Sequence, residues 1–335
     1  MIGTPNPVEA GLLDSPAGVL VKRRCLLMRV TLIHNPTAGD ESFSASELTA
    51  LIERAGHRVL YRSSKEDYKS ALKMPADLVA VAGGDGTVRK AAMELLGRNV
   101  PLAVLPCGTA NNIARALGIS GPPPSLIAGW AAARQRGFDV GVARGLKGET
   151  RFLEGVGLGL FSGLMSILDE IDEEYDIDFD DPDQKLHSDI SALKALVAEY
   201  PPCEVEVTLD GRGFAGQYVL IEAMNIKSVG PNLQFAPEAD PSDGCLDFVF
   251  VAEHERADLL DYLNRRRQTA EAFPRLTVHR GRHMRVAWQG AEVHVDDKIW
   301  LDKDSVEDGA KGGNAPPPTI DVTVERNALR FLVPA

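Results

Sequence analysis

The sequence predicts an α/β protein in two parts, a parallel sheet covered by helices followed by a β-rich part of sandwich or barrel type. Three observations predict it. From Met28 to Arg134, short β-favouring apolar runs alternate with helix-spaced segments over short connections. After Gly137 the chain turns to many short strands separated by glycine turns. Glycine-rich or Asn-Pro turns close three of the early strands. The first pattern builds parallel sheets with helices on both faces, and the second builds antiparallel β domains.

The elements follow in order. Residues 1–25 carry no clean period and several prolines and glycines, which reads as a flexible leader. Met28 to His34 is a strand that stops at Asn35-Pro36. Ser44 to Ala55 has helical spacing, with Leu48, Leu51 and Ile52 on one face. His57 to Tyr61 is a strand, Glu66 to Lys73 a short helix, and Asp77 to Ala82 a strand ending at Gly83-Gly84. Val88 to Leu96 is helical, Pro101 to Leu105 a strand, and Asn111 to Leu117 and Ser125 to Arg134 are helices. This gives a first domain over 26–135.

The second domain, 136–318, starts with strands at Phe138 to Ala143 and Arg151 to Gly155. A helix near Asp189 to Glu199 is followed by strands at Glu204 to Leu209 and Gln217 to Ala223. Val205 and Val207 share one face of the former. Further strands are expected at Cys245 to Val251, Arg275 to His279, Met284 to Trp288 and Glu292 to Val295. Asp304 to Pro318 is a linker by composition. Residues 319–335 read as two strands, Ile320 to Glu325 and Arg330 to Val333, that return to the first domain.

Composition bounds the function. The 335 residues carry 48 acids and 36 bases, a net charge of −12. A nucleic-acid binder would usually be basic, so none is expected as a partner. Ten of the acids fall between Asp169 and Asp183, where Tyr175, Ile177 and Phe179 alternate with Asp176, Asp178 and Asp180. That run reads as a mobile insertion, an amphipathic edge strand or lid. The opposite bias runs from Arg265 through Arg266, Arg267, Arg275, Arg280 and Arg282 to Arg285, a candidate face for phosphates or an anionic membrane. No run approaches the roughly eighteen apolar residues of a membrane span. The N-terminus lacks the features of a secretory signal. Cys25, Cys107, Cys203 and Cys245 lie far apart, which argues for free thiols in a cytosolic chain rather than a zinc site or disulfide scaffold.

The strongest local signal is Gly83-Gly84-Asp85-Gly86-Thr87 between an apolar strand and a helix. Glycines there permit close backbone approach, and amides at a helix start suit phosphate oxygens. Asp85 is odd in a plain phosphate nest, and suits a metal-bound water or a ribose or phosphate partner. Pro106-Cys107-Gly108-Thr109-Ala110-Asn111-Asn112 also leads from strand to helix, and Thr109 or Asn111 could cap that helix or face a ligand. Asn35-Pro36-Thr37-Ala38-Gly39 closes the first strand. Three such turns at strand ends favour one shared nucleotide site. Walker, GxGxxG, GxSxG and HExxH patterns are absent from these positions. Downstream, Asp243-Gly244 is a good turn, although Asp243 and Asp247 could hold a hard cation. Asp296-Asp297-Lys298 forms another turn, from which one carboxylate could face the nucleotide across a cleft.

These residues resemble the lipid kinase family that includes diacylglycerol kinases and sphingosine kinases, especially its small bacterial members. The likeness rests on Gly83–Thr87, on Gly108-Thr109-Ala110-Asn111-Asn112 with Ala114-Arg115, on Asn35–Gly39, and on Asp243-Gly244-Cys245-Leu246-Asp247 as a DGxLD element. NAD kinases share the GGDGT turn, whereas the other elements favour a lipid kinase. The resemblance implies a parallel-sheet nucleotide-binding domain followed by a β-sandwich-like lipid domain. ATP would lie between them against Asn35, Pro36, Thr37, Gly83, Gly84, Gly86, Thr87, Gly108, Thr109 and Asn111, with Mg²⁺ on its phosphates. Some members hold a structural magnesium at the DGxLD element, which assigns Asp243 and Asp247 as metal ligands here. Asp85 and Asp296 are the expected catalytic carboxylates, with Asp296 matching the general base of a late DGE motif. Asp297 and Lys298 depart from the Gly and Glu of that motif, and Asn112 departs milder from an Asn-Asp pair. The implied activity is ATP-dependent phosphorylation of a lipid hydroxyl, by a cytoplasmic protein docking peripherally on a membrane, with a homodimer possible. A soluble acceptor such as NAD, or nucleotide and lipid binding without catalysis, are the alternatives.

Overall fold

A computed structural model describes residues 27–39, 43–175, 182–268, 274–302 and 317–335. The expected leader, the alternating acids from Asp176 to Asp180, and most of the linker after Asp304 lie outside the described residues.

The first part alternates as expected. β1 (Arg29–His34), α1 (Ala45–Arg54), β2 (Arg58–Ser63), α2 (Tyr68–Lys73), β3 (Leu78–Gly83), α3 (Asp85–Glu94), β4 (Leu102–Pro106), α4 (Asn112–Ala116) and α5 (Pro123–Gly129) follow one another. Strands β1, β2, β3 and β4 pair in parallel in the order β4–β3–β1–β2. Their apolar runs are buried on both faces, by Val79, Val81 and Val104 on one side and Leu32, Ala80 and Leu105 on the other. Helix α1 starts where the sequence supplies a capping box: Ser44 Oγ accepts from the Glu47 amide at 3.3 Å, and Glu47 Oε2 accepts from the Ser44 amide at 2.8 Å. Helix α3 begins at Asp85, three residues earlier than its apolar spacing suggests, because Gly84 serves as its N-cap.

The chain then forms β5 (Arg134–Gly145), β6 (Gly148–Phe152), β7 (Gly155–Gly159), α6 (Leu160–Tyr175), α7 (Pro182–Glu199), β8 (Cys203–Leu209), β9 (Arg212–Met224), β10 (Leu246–Ala252), α8 (Arg256–Gln268), β11 (Thr277–Gly281), β12 (His283–Trp288), β13 (Val293–Val295), β14 (Lys298–Leu301) and β15 (Thr319–Val333). Strand β8 alternates buried and exposed residues throughout, with Val205 and Val207 inward. One apolar core lies among β7, β8, β9, β12 and β15, and a second lies beneath α6, α7 and α8.

Four readings change. Ser125 to Arg134 is not one helix: α5 ends at Gly129, and Arg134 already belongs to β5. The expected strand from Arg151 to Gly155 breaks at a corner into β6 and β7. The opening of the acidic run, up to Tyr175, is helical: it forms the end of α6, whose apolar residues Phe161, Leu164 and Leu168 pack inward. The last segment is a single long strand, with a register break between Glu325 and Leu329 where Asn327 adopts φ +49°.

β15 joins the two halves. It pairs with β12 and β5 antiparallel and touches β4 in parallel at Phe331 and Leu102. All fifteen strands among the described residues therefore share one hydrogen-bonded sheet.

Candidate active site

Adjacent parallel strands bring their C-terminal ends together, so the turns after β1, β3 and β4 meet. A Cβ on Gly39 (φ +61°) would lie 2.4 Å from the Cys107 carbonyl oxygen, and one on Gly108 would lie 2.4 Å from Gly84 Cα. The second contact is backbone on backbone, which a side chain at Gly108 would prevent. Asn35 Oδ1 accepts from the Thr37 amide and hydroxyl at 3.4 and 3.2 Å, closing its own turn. Thr87 is turned inward against Gly83, whereas Thr109 is exposed toward the cleft. With glycine as its N-cap, α3 receives no capping side chain, the arrangement that suits an anion.

Asp85 and Asn111 do structural work in this cradle. Asp85 Oδ2 and Oδ1 accept the Asn112 and Ile113 amides, each at 2.9 Å, and so bind the start of α4 to the start of α3. Burial raises the Asp85 pKa, and those amides oppose the rise. Asn111 sits at φ +50° and does not cap its helix; its amide group pins Gly108 instead, accepting from the Gly108 N–H at 3.0 Å and donating to its carbonyl at 2.5 Å.

The β-rich half reaches over this cradle from the β13–β14 hairpin. Asp296 and Asp297 form its two-residue turn, with Asp296 at φ +51°, a region that Asp tolerates better than most residues. The Asp296 carboxylate is fully buried. It accepts from the amides of Leu153 (3.1 Å), Glu154 (2.8 Å) and Gly155 (3.2 Å) at the β6–β7 corner. Burial nevertheless pushes its pKa up to about 6. The Asp297 side chain is 47% exposed and projects over the glycine turn, where a Cβ on Gly86 would lie 2.8 Å from Asp297 Oδ2. Arg89 holds both acids, with Nη2 3.0 Å from Asp297 Oδ1 and Nε 3.7 Å from Asp296 Oδ2. It reaches them because it lies three residues after Gly86 and four after Asp85, on the same face of α3.

Glu154 completes the acidic end. Its Oε2 accepts from Asn112 Nδ2 at 3.0 Å, and the same amide donates to the Gly230 carbonyl at 3.1 Å. Burial, with the charges of Asp85 and Asp296 nearby, lifts the Glu154 pKa well above its ordinary value. These groups line one end of a cavity of about 270 Å³. Its other end is apolar, walled by Phe161, Leu164, Met165 and Leu168 of α6 and by Val229 and Pro231.

Arg89, Glu154, Glu222 and His294 were not singled out by sequence reasoning as site groups. A charged Glu222 inside the apolar run VLIEAM and a His294 between two valines were the available signals.

The DGxLD region is built differently from a cation site. Asp243 Oδ2 is ion-paired with Arg280, and Oδ1 accepts from the Cys245 amide at 2.8 Å. Asp240 is paired with Arg136 at 2.5 Å. Asp139 is buried and accepts from the Gly244 and Asn327 amides, both at 2.6 Å. Burial raises the Asp247 pKa to about 6, against the pull of the Arg280 charge. A guanidinium thus occupies the place of positive charge beside Asp243, and this donor set does not fit a resident magnesium. Among the described residues no group of three or more His, Cys, Asp or Glu is arranged to hold a metal ion.

Three of the arginines between 265 and 285 meet acids. Arg265 meets Asp261 at 2.9 Å on α8, Arg280 meets Asp243 on β11, and Arg285 approaches Asp321 at 3.9 Å on β12. Among the described residues no helix is long and apolar enough to cross a membrane.

Residues 29–143 match the family described as diacylglycerol kinase catalytic domain, and residues 174–332 match the YegS C-terminal NAD kinase beta sandwich-like domain. The chain belongs to the bacterial lipid kinase family. Lipid kinases similar to it include the diacylglycerol kinase of Bacillus subtilis, 28% identical over 258 residues that cover 71% of this chain and 77% of that one. The diacylglycerol kinase of Mycobacterium tuberculosis is 26% identical over 293 residues, covering 82% and 87%. The lipid kinase fold is shared with a crystal structure of a diacylglycerol kinase from Bacillus anthracis str. Sterne, with a TM-score of 0.63 at 18% identity over 91% of this chain and 96% of that one.

Proposed function

We propose that this lipid kinase transfers the γ-phosphoryl group of ATP to the hydroxyl of a lipid such as diacylglycerol. The observation that carries the reading is one cavity with the carboxylates of Asp85, Glu154, Asp296 and Asp297 at one end and the apolar wall of α6 at the other. A lipid alcohol has that polarity: a hydroxyl that must reach the phosphate and chains that must leave water.

The amides at Gly84 to Gly86 bind the phosphates of ATP, which brings magnesium as part of the substrate. Thr109 borders the same cleft, and the Asn35–Gly39 turn packs behind it on the Cys107 backbone. The lipid hydroxyl oxygen bonds to the γ-phosphorus as the bond to the β–γ bridging oxygen breaks, and ADP departs. The hydroxyl proton goes to a carboxylate. We assign that carboxylate to Asp297 rather than Asp296. All three amides of residues 153–155 bind Asp296, whose side chain borders the cavity but has no exposed surface, so its role is to fix the hairpin. Asp297 is the exposed neighbour, held over Gly86 by Arg89. Asp85 organises the cradle through α4.

The test is transfer of labelled γ-phosphate from Mg·ATP to diacylglycerol micelles, to a total lipid extract, and to NAD. Labelled lipid is expected, with Asp297→Asn reducing kcat by about 10²–10⁴-fold. Label on NAD, nucleotide binding without transfer to any acceptor, or a wild-type rate in Asp297→Asn would each reject the corresponding part of the reading.

A further inference from the structure

Beneath the Asp296–Asp297 turn lies a buried polar pair that the chemistry above does not use. Strand β7 sits between β9 and β13, and Gly157 is the register partner of both Glu222 and His294. Two strand spacings of about 4.8 Å would keep these side chains apart if a side chain stood between them. Gly157 has none, and a Cβ there would lie 1.9 Å from Glu222 Oε2. The two side chains meet over this gap, with His294 Nε2 3.0 Å from Glu222 Oε2. Both are wholly buried. Glu222 Oε1 has no hydrogen-bond partner, so the pair carries a desolvation cost that an apolar pair would avoid.

The other ring nitrogen points at the hairpin. His294 Nδ1 is 3.1 Å from the Asp296 carbonyl oxygen. A carbonyl only accepts, so Nδ1 carries a proton and donates. Three fixings then converge on one turn: this bond to the Asp296 carbonyl, the three corner amides on the Asp296 carboxylate, and Arg89 on Asp297.

We propose that Glu222 and His294 are positioning residues that hold the left-handed Asp296 and thereby set Asp297 over Gly86. Glu222 fixes the orientation and tautomer of the imidazole, and the imidazole fixes the turn. This rests on the phosphoryl-transfer reading for its kinetic consequence, but the proton on Nδ1 does not. The charged groups that face the ring are Glu222 from β9 and Asp296 from its own turn; α6 presents the uncharged Phe161 ring at 6.2 Å, and β7 presents glycine. Burial works against a charged ring, yet the Glu222 charge and hydrogen bonding raise the His294 pKa above its ordinary value.

Two measurements test this. In kinetics with Mg·ATP and diacylglycerol micelles, His294→Ala and Glu222→Leu should lower kcat by about 10- to 100-fold, the scale of an ångström-level misplacement, while KM for ATP stays within about twofold. Glu222→Gln can still present a partner to Nε2 and should recover most of the loss seen in Glu222→Leu. Unchanged kcat in folded variants, a parallel loss of ATP affinity, or no recovery in Glu222→Gln would overturn the proposal. The second measurement is the ¹⁵N imidazole spectrum of the intact protein, with His294 assigned by its loss in His294→Ala. A protonated Nδ1 throughout neutral pH is expected, and a bare Nδ1 overturns the relay. If the wild-type protein phosphorylates no acceptor, the function reading fails while the spectrum still decides the relay.

Discussion

Gly86→Ala separates the place of Asp297 from the stability of the fold. Gly86 lies in the first turn of α3 and has no positive φ, so alanine can adopt its backbone conformation. Replacing a helical glycine by alanine ordinarily stabilises by about 0.5–1 kcal/mol. The added Cβ, however, would lie 2.8 Å from Asp297 Oδ2. An ordinary carbon–oxygen contact needs roughly half an ångström more, and the end of a half-exposed side chain can give that distance cheaply. The variant should therefore melt at or slightly above the wild-type temperature while kcat for lipid phosphorylation falls about tenfold, because the proton acceptor has been moved. The assay is a thermal melt together with labelled-phosphate transfer at saturating ATP. In an Asp297→Ala background the same Gly86→Ala change should have no further effect on kcat, since the displaced group is gone. Wild-type turnover in Gly86→Ala, or an undiminished Gly86→Ala effect without Asp297, would refute the placement of the base.

Other predictions follow from neighbouring contacts. Gly108→Ala puts a methyl group against Gly84 Cα, where backbone must move; it should cost about 1–3 kcal/mol and weaken nucleotide binding, read by a melt with and without Mg·ATP. The Asp247 pKa is raised to about 6, so the folded state holds its proton more tightly than the unfolded chain and stability falls as pH rises from about 4 to 6. Asp247→Asn should flatten that slope and gain on the order of 2 kcal/mol at pH 7, measured by urea unfolding across the range. Chelation should leave the melting temperature of the nucleotide-free protein unchanged, because Arg280 already neutralises Asp243; a chelator-sensitive melt would restore a resident cation there.

The parallel half of the fold was legible because each strand was a continuous apolar run closed by a turn signal. The cradle was legible for the same reason: turns after neighbouring parallel strands cannot avoid one another. What stayed hidden depends on non-local pairing. β7 reads Gly-Val-Gly-Leu-Gly, a poor strand by propensity, and it is a strand because Glu222 needs the space that Gly157 leaves. Helix α8 has little apolar periodicity beyond Leu259, Tyr262 and Leu263, and its arginines drew attention to charge instead. The adjacent acids Asp296 and Asp297 are equivalent as letters. Only the corner at residues 153–155, far away in sequence, makes one a structural acceptor and leaves the other facing the cleft. The acids that meet Arg280 and Arg285, Asp243 and Asp321, are distant in sequence and could not be read from the basic stretch itself.

Strand β15 has a consequence for synthesis. It comes after every other strand in the chain, yet it lies beside β4 and completes the sheet of the earliest residues. A growing polypeptide with β1 to β4 outside the ribosome presents an open β4 flank until residues 319–333 emerge. The nascent first half must wait, or be shielded from pairing with its neighbours on the same message. Cutting out residues 26–135 to study nucleotide binding alone would recreate that unfinished edge permanently.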